Sequence, residues 1–472
     1  MTPNALWPRP RAAVHTPVRL PRLGPTVLTA LLSGLLSGLL SATLAGPAWA
    51  AGEHPAHTNP QARLQPEHQP WVAGLHQVLP PDAPVRAMLL QQPAVQAAHA
   101  GVGVAQGRQA RLAAGPHEWT VRSGVQQRRE SLGPRFTETE IALERGLRLP
   151  GKQRTDQAMG QAEVEVGTLA FEDTWHESAR SLLKAWFDWL REWRSSRTLD
   201  EQRQLAEQQH QVVQRRIQAG EAARLEGLQA EAEASRAQAA WQQARARERS
   251  QQTELLRRYP ALLASVQSLT AAPLPAPSPL PDSAADWVER VLADNHELEL
   301  AEAQAQQAEL QARRAALDKQ ADPSVGVRAS RERGGAERVW GVYLSLPLGG
   351  AARRADEQTA LALAQVARDK AAEVRQRVSN DAWRVALLAS EGEAAWRSLD
   401  AAGQRMAQAA ALATRAYSLG ELPLGEALQS RRLALEAQLN ADAVRLDVLE
   451  SQSRLLLDAH QMWTPPSHDQ EP

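Results

Sequence analysis

The sequence predicts a mainly α-helical protein with a small β part, built from long antiparallel helical hairpins and an internal duplication. Only 4% of its 472 residues are aromatic, and a chain dominated by Ala, Gln, Arg, Glu and Leu is typical of long helices. After their first residue, the stretches 150–220 and 347–420 contain no proline. Similar landmarks recur in the same order in both halves, which indicates a duplication.

The duplication is marked by a Leu-Pro dipeptide and a glycine in each half. Pro150 and Pro347 lie 197 residues apart, and Gly220 and Gly420 lie 200 residues apart. Between each proline and its glycine, larger apolar residues recur at steps of three and four among many alanines, a pattern of closely packed coiled-coil helices. As continuous helices, these stretches would each reach about 105–110 Å.

Charge and composition exclude several classes of protein. The formal net charge of -1 argues against a nucleic-acid binder, which carries a basic excess or patch. The chain has no cysteine, so disulfides, thiolate metal sites and a lipid on an N-terminal cysteine are excluded. We find no nucleotide or zinc motif, and the histidines are scattered along polar stretches of the sequence: His176, His210, His296 and His460. We therefore expect no enzyme activity, cofactor or metal site.

The first fifty residues have the order of a secretory signal. Residues 1–25 hold four arginines and no acid, residues 26–45 are apolar, and Ala48-Trp49-Ala50 supplies small residues before a cut. A transmembrane anchor is the alternative, because about 20 residues could cross a bilayer. The serine and glycine content and the Ala-x-Ala ending favour cleavage near Ala50.

Composition divides the rest of the chain into five parts. Residues 51–84 are polar and contain proline and histidine, so we expect a flexible segment. A first repeat over 85–270 and a second over 286–462 are separated by a Pro-rich linker, 271–285. Each repeat should contain a helix, a strand pair and a long helical hairpin. Residues 463–472 should form a C-terminal tail.

Each repeat shows two runs of alternating apolar and polar residues before its Leu-Pro dipeptide. Period-two alternation separated by turn residues predicts paired strands, here over 119–126 and 136–149 and over 324–332 and 338–346. One face would carry Trp119, Trp340, Val342 and Leu344. Arg145 falls on this apolar face near one end.

Strands of about ten residues have the length needed to cross a membrane. The apolar face would suit lipid, and the polar face would suit a water-filled lumen. Two strand pairs cannot close a barrel alone, and only closed barrels or helices satisfy the backbone in lipid. Several chains must therefore complete the barrel; three chains would supply twelve strands.

Residues 416–439, AYSLGELPLGEALQSRRLALEAQL, resemble the TolC family of outer-membrane efflux channels. The similar features are an aromatic-x-x-Gly turn, an acidic residue and a small-residue helix. RIQAGEAARLEGLQAEAE is a weaker counterpart in the first repeat, and the strand pairs ending in Leu-Pro and the duplication agree. The resemblance covers roughly residues 85–460.

The resemblance implies a homotrimer with a twelve-stranded transmembrane β-barrel in the outer membrane and a twelve-helix coiled-coil tunnel through the periplasm of a Gram-negative cell. Its far tip would dock to a periplasmic adaptor (a membrane fusion protein) and an inner-membrane pump. The protein would be the passive exit duct of a tripartite efflux or secretion system for metal ions, drugs or other cargo. The sequence LPGKQ at 149–153 and the histidines of segment 51–84 lean toward heavy-metal efflux. A non-pore periplasmic scaffold or adaptor is the alternative.

Several residues at the tip match the family pattern. Gly220 and Gly420 would form the turns where the helices reverse, since glycine readily takes positive φ at a helix C-cap. These turns would also dock the adaptor. Tyr417 resembles a gate residue that closes the tip by hydrogen bonding; the alternative is a packed coiled-coil aromatic.

Acidic residues after the turns would line the pore. Glu426 and its counterpart Glu226 would each form a ring of three carboxylates in a trimer, and such rings favour cations. The alternative is an ordinary solvated helical charge. Gln429 stands where many family members have a second acid, and Leu422 stands where a basic gate partner can occur. We therefore expect hydrogen bonds and packing, rather than a salt bridge, to hold a closed pore.

Overall fold

The computed structural model describes residues 69–465, apart from Leu132 and Ala272. The expected signal segment 1–50, residues 51–68 and residues 466–472 lie outside the described part. The elements, in chain order, are α1 (Gln69–His76), α2 (Asp82–Leu90), α3 (Pro93–Ala114), β1 (Trp119–Arg129), β2 (Arg135–Gly146), α4 (Pro150–Gln218), α5 (Arg224–Arg258), α6 (Leu263–Thr270), α7 (Ala284–Ala293), α8 (His296–Asp318), β3 (Ser324–Glu332), β4 (Glu337–Ser345), α9 (Ala351–Ser418) and α10 (Leu424–Asp458). Short 3₁₀ turns cover Pro260–Leu262 and Arg333–Gly335.

The order of elements repeats. A helix, a strand pair, a very long helix and a shorter returning helix occur as α3–β1–β2–α4–α5 and again as α8–β3–β4–α9–α10. The long helices have 69 and 68 residues, and both returning helices have 35. Each long helix packs against its returning helix and against the helix that precedes the strands. The predicted mainly helical fold and its internal duplication are confirmed.

The two long helices begin differently. α4 starts at Pro150, where proline at the first helical position has a suitable φ and needs no hydrogen bond from its nitrogen. α9 starts at Ala351, four residues after the start expected at Pro347. The delay has a local cause, because Gly350 is fully extended (φ -137°, ψ -171°) and glycine disfavours helix.

The four strands form one antiparallel sheet in the order β1-β2-β3-β4. The central β2–β3 pairing joins the two repeats, and within residues 69–465 the strands β1 and β4 pair on one edge only. Directly opposed residues form rows across the sheet, of which one is Val121, Leu143, Val327 and Val342. Successive side chains point to opposite faces, so these rows build one apolar face.

The strand bounds shift slightly from those expected. β1 continues to Arg129, whereas alternation alone suggested an end at residue 126. β2 ends at Gly146, three residues before Leu149. Beyond it, the N–H of Leu147 donates to the carbonyl of Pro323 at 2.7 Å, which holds the chain beside the start of β3.

The main hydrophobic core surrounds the middle of α4 and the ends of α5 and α10. The largest fully buried side chains include five tryptophans: Trp175, Trp186, Trp189, Trp287 and Trp463. The indole N–H of Trp175 donates to the carbonyl of Trp463 at 2.7 Å, and that of Trp186 donates to the carbonyl of Val78 at 2.8 Å. Many aromatic residues of the described chain are thus concentrated where α1 and the residues just after α10 meet the long helices.

The expectation of a flexible segment over 51–84 is wrong for residues 69–84. α1 and the start of α2 lie there, and Trp71, Val72 and Leu75 are buried in the main core. Their spacing places all three on one helical face, a signal hidden by the surrounding prolines. The expected tail from residue 463 also needs correction, because Trp463 is 1% exposed and belongs to this core.

The Pro-rich linker runs against α10. The guanidinium of Arg445 donates to the carbonyl of Pro275 at 2.9 Å, and the amide of Gln452 donates to the carbonyl of Ser278 at 2.8 Å. Proline removes backbone donors, so side chains from α10 satisfy the carbonyls of this extended stretch.

Within residues 69–465, no helix combines the length and the apolar character needed to span a membrane.

Candidate functional site

The two helix reversals at the tip are built alike. Gly220 and Gly420 have φ of +79° and +78°. Their N–H groups each donate to the carbonyl three residues earlier at 3.0 Å. The N–H groups of Glu221 and Glu421 donate to the carbonyl five residues earlier, at 2.8 and 3.0 Å. This is the Schellman motif, whose positive φ favours glycine, and both glycines lie where the sequence predicts the turns.

Beneath the turns, both hairpins pack together in a small apolar cluster, which we call the tip cluster. It consists of Val213, Ala230, Tyr417, Leu424, Ala427 and Leu428. Half-buried Leu422 packs against it. The cluster draws on α4, α5, α9 and α10, so side chains at the tip link the first repeat to the second.

Tyr417 makes the main polar contact of the tip cluster. Its side chain is 5% exposed, and its hydroxyl donates to Oε2 of Glu226 at 2.7 Å. The guanidinium of Arg216 lies over the ring, 5.2 Å from its centroid. Burial and the Glu226 carboxylate raise the pKa of Tyr417 to about 12. The hydroxyl therefore stays protonated and able to donate at any physiological pH.

The two glutamates predicted as counterparts lie in different surroundings. Glu226 is half-buried beneath Tyr417, whereas Glu426 and Gln429 are exposed on α10. At the offset of 200 residues, the position equivalent to Tyr417 in the first repeat is Ile217. An isoleucine cannot donate a hydrogen bond, so the duplicated tip has one such bond rather than two.

A second polar contact joins the hairpins farther from the turns. Nε and Nη2 of Arg432 donate to Oε2 of Glu233 at 3.1 and 2.8 Å. Charge-assisted hydrogen bonds of this kind are among the stronger side-chain contacts. This pair cannot be picked out from the sequence, because Arg432 and Glu233 lie among many other charged residues on helical faces.

At the other end of the hairpins, the apolar face of the sheet is bare. Trp119, Trp340, Val342 and Leu344 all lie on this face, as predicted from alternation. Trp340 and Val342 are 81% and 83% exposed. Arg145 lies on the same face, with its guanidinium over the ring of Trp119. A contiguous exposed apolar surface marks a contact with lipid or with another protein.

The opposite face of the sheet carries paired polar groups. Oε2 of Glu144 lies 3.0 Å from the guanidinium of Arg122 and accepts from the hydroxyl of Tyr343 at 3.0 Å. Arg128 lies 3.1 Å from Glu138. The two faces therefore differ as the two sides of a membrane barrel's wall differ. One face is apolar and unpaired, and the other is charged and paired.

A buried ionic network connects the sheet to the helices. Lys152, in the first turn of α4, is 2% exposed and donates to the carbonyl of Gln320 at 2.6 Å. Its Nζ also lies 2.9 Å from Asp322 and 3.1 Å from Asp318. Lys152 belongs to the first repeat and its partners belong to the second. The network fixes the two repeats against each other directly below the strands.

Three histidines that are far apart in sequence meet in the structure, and the expectation of scattered histidines is wrong for them. The ring centroids of His296 and His460 are 4.3 Å apart, and that of His176 lies 5.2 Å from His460. Antiparallel packing of α4, α8 and the end of α10 brings them together. Asp458 accepts from Nε of Arg180 at 2.9 Å and lies 3.1 Å from Nε2 of His176. Across the described residues, no group of three or more His, Asp or Glu side chains is arranged to hold a metal ion.

Comparison with known proteins gives similarity in structure alone. No family model matches the sequence, and no curated protein matches it. The outer-membrane protein VceC from Vibrio cholerae is 16% identical with a TM-score of 0.63, over 84% of this chain and 98% of that one. The Campylobacter jejuni CmeC outer-membrane channel is 13% identical with a TM-score of 0.62, over 83% and 87%. The open state of the Neisseria gonorrhoeae MtrE outer-membrane channel is 16% identical with a TM-score of 0.56, over 83% and 89%. At these identities the similarity establishes the fold: the chain folds as outer-membrane channel proteins do.

Proposed function

We propose that this chain, which has the fold of TolC-family outer-membrane channels, is the outer-membrane exit duct of a tripartite efflux or secretion system. One observation carries the proposal. A four-stranded sheet with a bare apolar face and a paired polar face stands at one end of two long helical hairpins. A duct that crosses a membrane and continues through an aqueous compartment needs both parts.

The sheet supports closure into a barrel by several copies. Its strands have 9–12 residues, near the length that crosses a bilayer. β1 and β4 have free edges within the described chain, and free edges in lipid leave backbone groups unsatisfied. Three copies joined edge to edge would give a closed barrel of twelve strands, with the apolar face toward lipid. A homotrimer is the proposed assembly.

The helical hairpins would extend the pore through the periplasm. A helix of 69 residues spans about 100 Å. In this proposal, Tyr417 and Glu226 act as a gate that closes the tip. Glu226 and Glu426 each form a ring of three carboxylates in the trimer, and Gln429 lies near Glu426 in the sequence. Exposed leucines flank the turns at Gly220 and Gly420 and would contact a periplasmic adaptor: Leu225, Leu228 and Leu419.

Transport through the duct would be passive, with an inner-membrane pump supplying energy and selecting the cargo. Metal ions and drugs are the proposed cargo classes, with heavy-metal efflux resting on the LPGKQ segment and the N-terminal histidines. The alternative, a periplasmic scaffold without a pore, leaves the bare apolar face of the sheet without a role.

Reconstitution tests the proposal. The detergent-extracted protein should form threefold particles about 125 Å long by electron microscopy, the sum of helices of about 100 Å and a barrel of roughly 25 Å. It should also insert into planar bilayers and give stepwise currents. Particles that stay soluble without detergent and give no current would contradict the duct and favour the scaffold.

A further inference from the structure

Four arginines mark the turn end of the sheet, one on each strand. Arg129 is directly opposite Arg135, and Arg331 is directly opposite Arg338. By strand alternation, they project from the same face as the apolar rows; Arg338, for example, is two residues from Trp340 and four from Val342. We call these four residues the arginine belt.

The arginine belt lacks counter-charges. Like charges directly opposite each other in a strand pair destabilise the sheet, and here this happens twice. All four side chains are exposed, and none of them forms a hydrogen bond or ion pair with another residue of the described chain. Arg128, which neighbours the belt but points to the other face, is paired with Glu138 at 3.1 Å and Glu332 at 3.5 Å. Anions that neutralise the belt side would therefore come from outside the described residues.

The position of the arginine belt indicates where those anions are. In the proposed barrel, the helices leave the sheet toward the periplasm, so the β1–β2 and β3–β4 turns lie at the outer surface. Arg129 and Arg135 lie near the β1–β2 turn, four residues beyond the row in which Arg331 is opposite Thr139. Arg331 and Arg338 lie nearer to the apolar band: two residues of strand correspond to about 7 Å, so this pair lies just beyond Trp340. That is the depth of lipid headgroups in the outer leaflet, and basic clusters at this depth bind anionic lipids.

We propose that the arginine belt binds the phosphate groups of outer-leaflet glycolipids, an inference that rests on the proposed duct. Guanidinium groups suit phosphate because their planar donors form two parallel hydrogen bonds with it. Each phosphate would sit between two opposed arginines and relieve their repulsion. A trimer would present the belt around its full circumference and so fix the depth of the barrel in the membrane.

The test measures binding of purified bisphosphorylated lipid A and of the same lipid after removal of its phosphates. The wild-type trimer in lipid nanodiscs is compared with the variant R331Q/R338Q. The matched control is R257Q/R405Q, which removes two exposed arginines on α5 and α9 that form no ion pair in the described chain. We expect the belt variant to bind the phosphorylated lipid at least about tenfold more weakly, as expected for loss of a charge-assisted contact. The control should bind it as the wild type does.

The outcomes separate this inference from the duct itself. Equal affinity of the belt variant and the wild type, or equal affinity of the wild type for both lipids, would overturn the belt while leaving bilayer currents intact. Failure of the wild-type protein to insert into bilayers at all would overturn the duct and the belt together. Loss of binding in R257Q/R405Q equal to that in the belt variant would show a general charge effect and overturn the belt.

Discussion

The hydroxyl of Tyr417 on α9 donates a 2.7 Å hydrogen bond to Glu226 on α5, and this bond connects the two repeats at the tip. The guanidinium of Arg216 lies over the ring of Tyr417. The partner residues lie 191 positions apart in sequence. Ile217 occupies the equivalent position in the first repeat and cannot donate a hydrogen bond. The hydrogen bond from Tyr417 to Glu226 therefore has no counterpart in the duplicated position.

Removal of this bond should open the tip. Tyr417→Phe keeps the ring and its packing but removes the donor to a carboxylate, a contact worth about 1.5–3 kcal/mol. We expect a higher open probability in bilayer recordings and greater antibiotic entry into cells. Ser418→Ala is the matched control, because it removes an exposed hydroxyl next to Tyr417 that donates to the carbonyl of Arg415 within the same helix. Unchanged gating in Tyr417→Phe would leave Tyr417 as a packing residue.

The carboxylates near the turns should set ion preference. Glu226→Gln combined with Glu426→Gln would remove two proposed rings of negative charge, and such rings favour cations. We expect the reversal potential in a salt gradient to shift toward that of a non-selective pore. Gln429→Glu, which adds an exposed acid one turn from Glu426, should shift it the other way. If neither variant changes the reversal potential, these glutamates are ordinary solvated charges.

A charge on the lipid side of the sheet should block insertion. Val342→Lys places an ammonium group on the apolar face, at a cost of about 2–4 kcal/mol at mid-membrane depth. We expect fewer folded trimers in outer-membrane fractions, measured by heat-modifiable gel mobility. Val339→Lys is the control, because Val339 is on the same strand but points to the polar face. Equal loss of trimers in both variants would contradict the assignment of faces.

The histidine cluster should make the folded state sensitive to acid. Burial and the neighbouring imidazoles lower the pKa of His460 from 6.5 to about 3, and burial also lowers the pKa of His176. Both groups bind protons in the unfolded chain below pH 6.5 that the folded chain does not bind, so stability falls as the pH drops below 6.5. Asp173 opposes this by one proton, because burial raises its pKa to about 6.

The measurement is the apparent unfolding temperature at pH 7.5 and at pH 5, followed by circular dichroism. We expect the free energy of unfolding of the wild type to fall by on the order of 1–3 kcal/mol from pH 7.5 to pH 5, which lowers the unfolding temperature. His460→Asn should reduce the loss, and asparagine suits the positive φ of 54° at this position. His76→Asn, at an exposed position on α1, should leave the wild-type dependence intact. An identical pH dependence in all three proteins would exclude His460 as its source.

Much of the tip could be predicted from the sequence, while its contacts could not. The Schellman turns at Gly220 and Gly420 follow from a helical pattern that ends in glycine, which is a local signal. The environment of Glu226 and Glu426 is not local. The two residues look equivalent in sequence, and only the register of α9 against α5 places Glu226 under Tyr417 and leaves Glu426 in solvent.

The sequence by itself determined the mainly helical class, the duplication, the turns and the apolar face of the strands, because hydrophobic period and proline or glycine positions act over a few residues. The tertiary structure alone decided which distant side chains meet: Tyr417 with Glu226, Lys152 with Asp322, and His176 with His460. It also decided that α1 belongs to the core and that opposed arginines share one face of the sheet. These contacts depend on how long elements align, and a shift of one residue in a strand or a fraction of a turn in a helix would separate them.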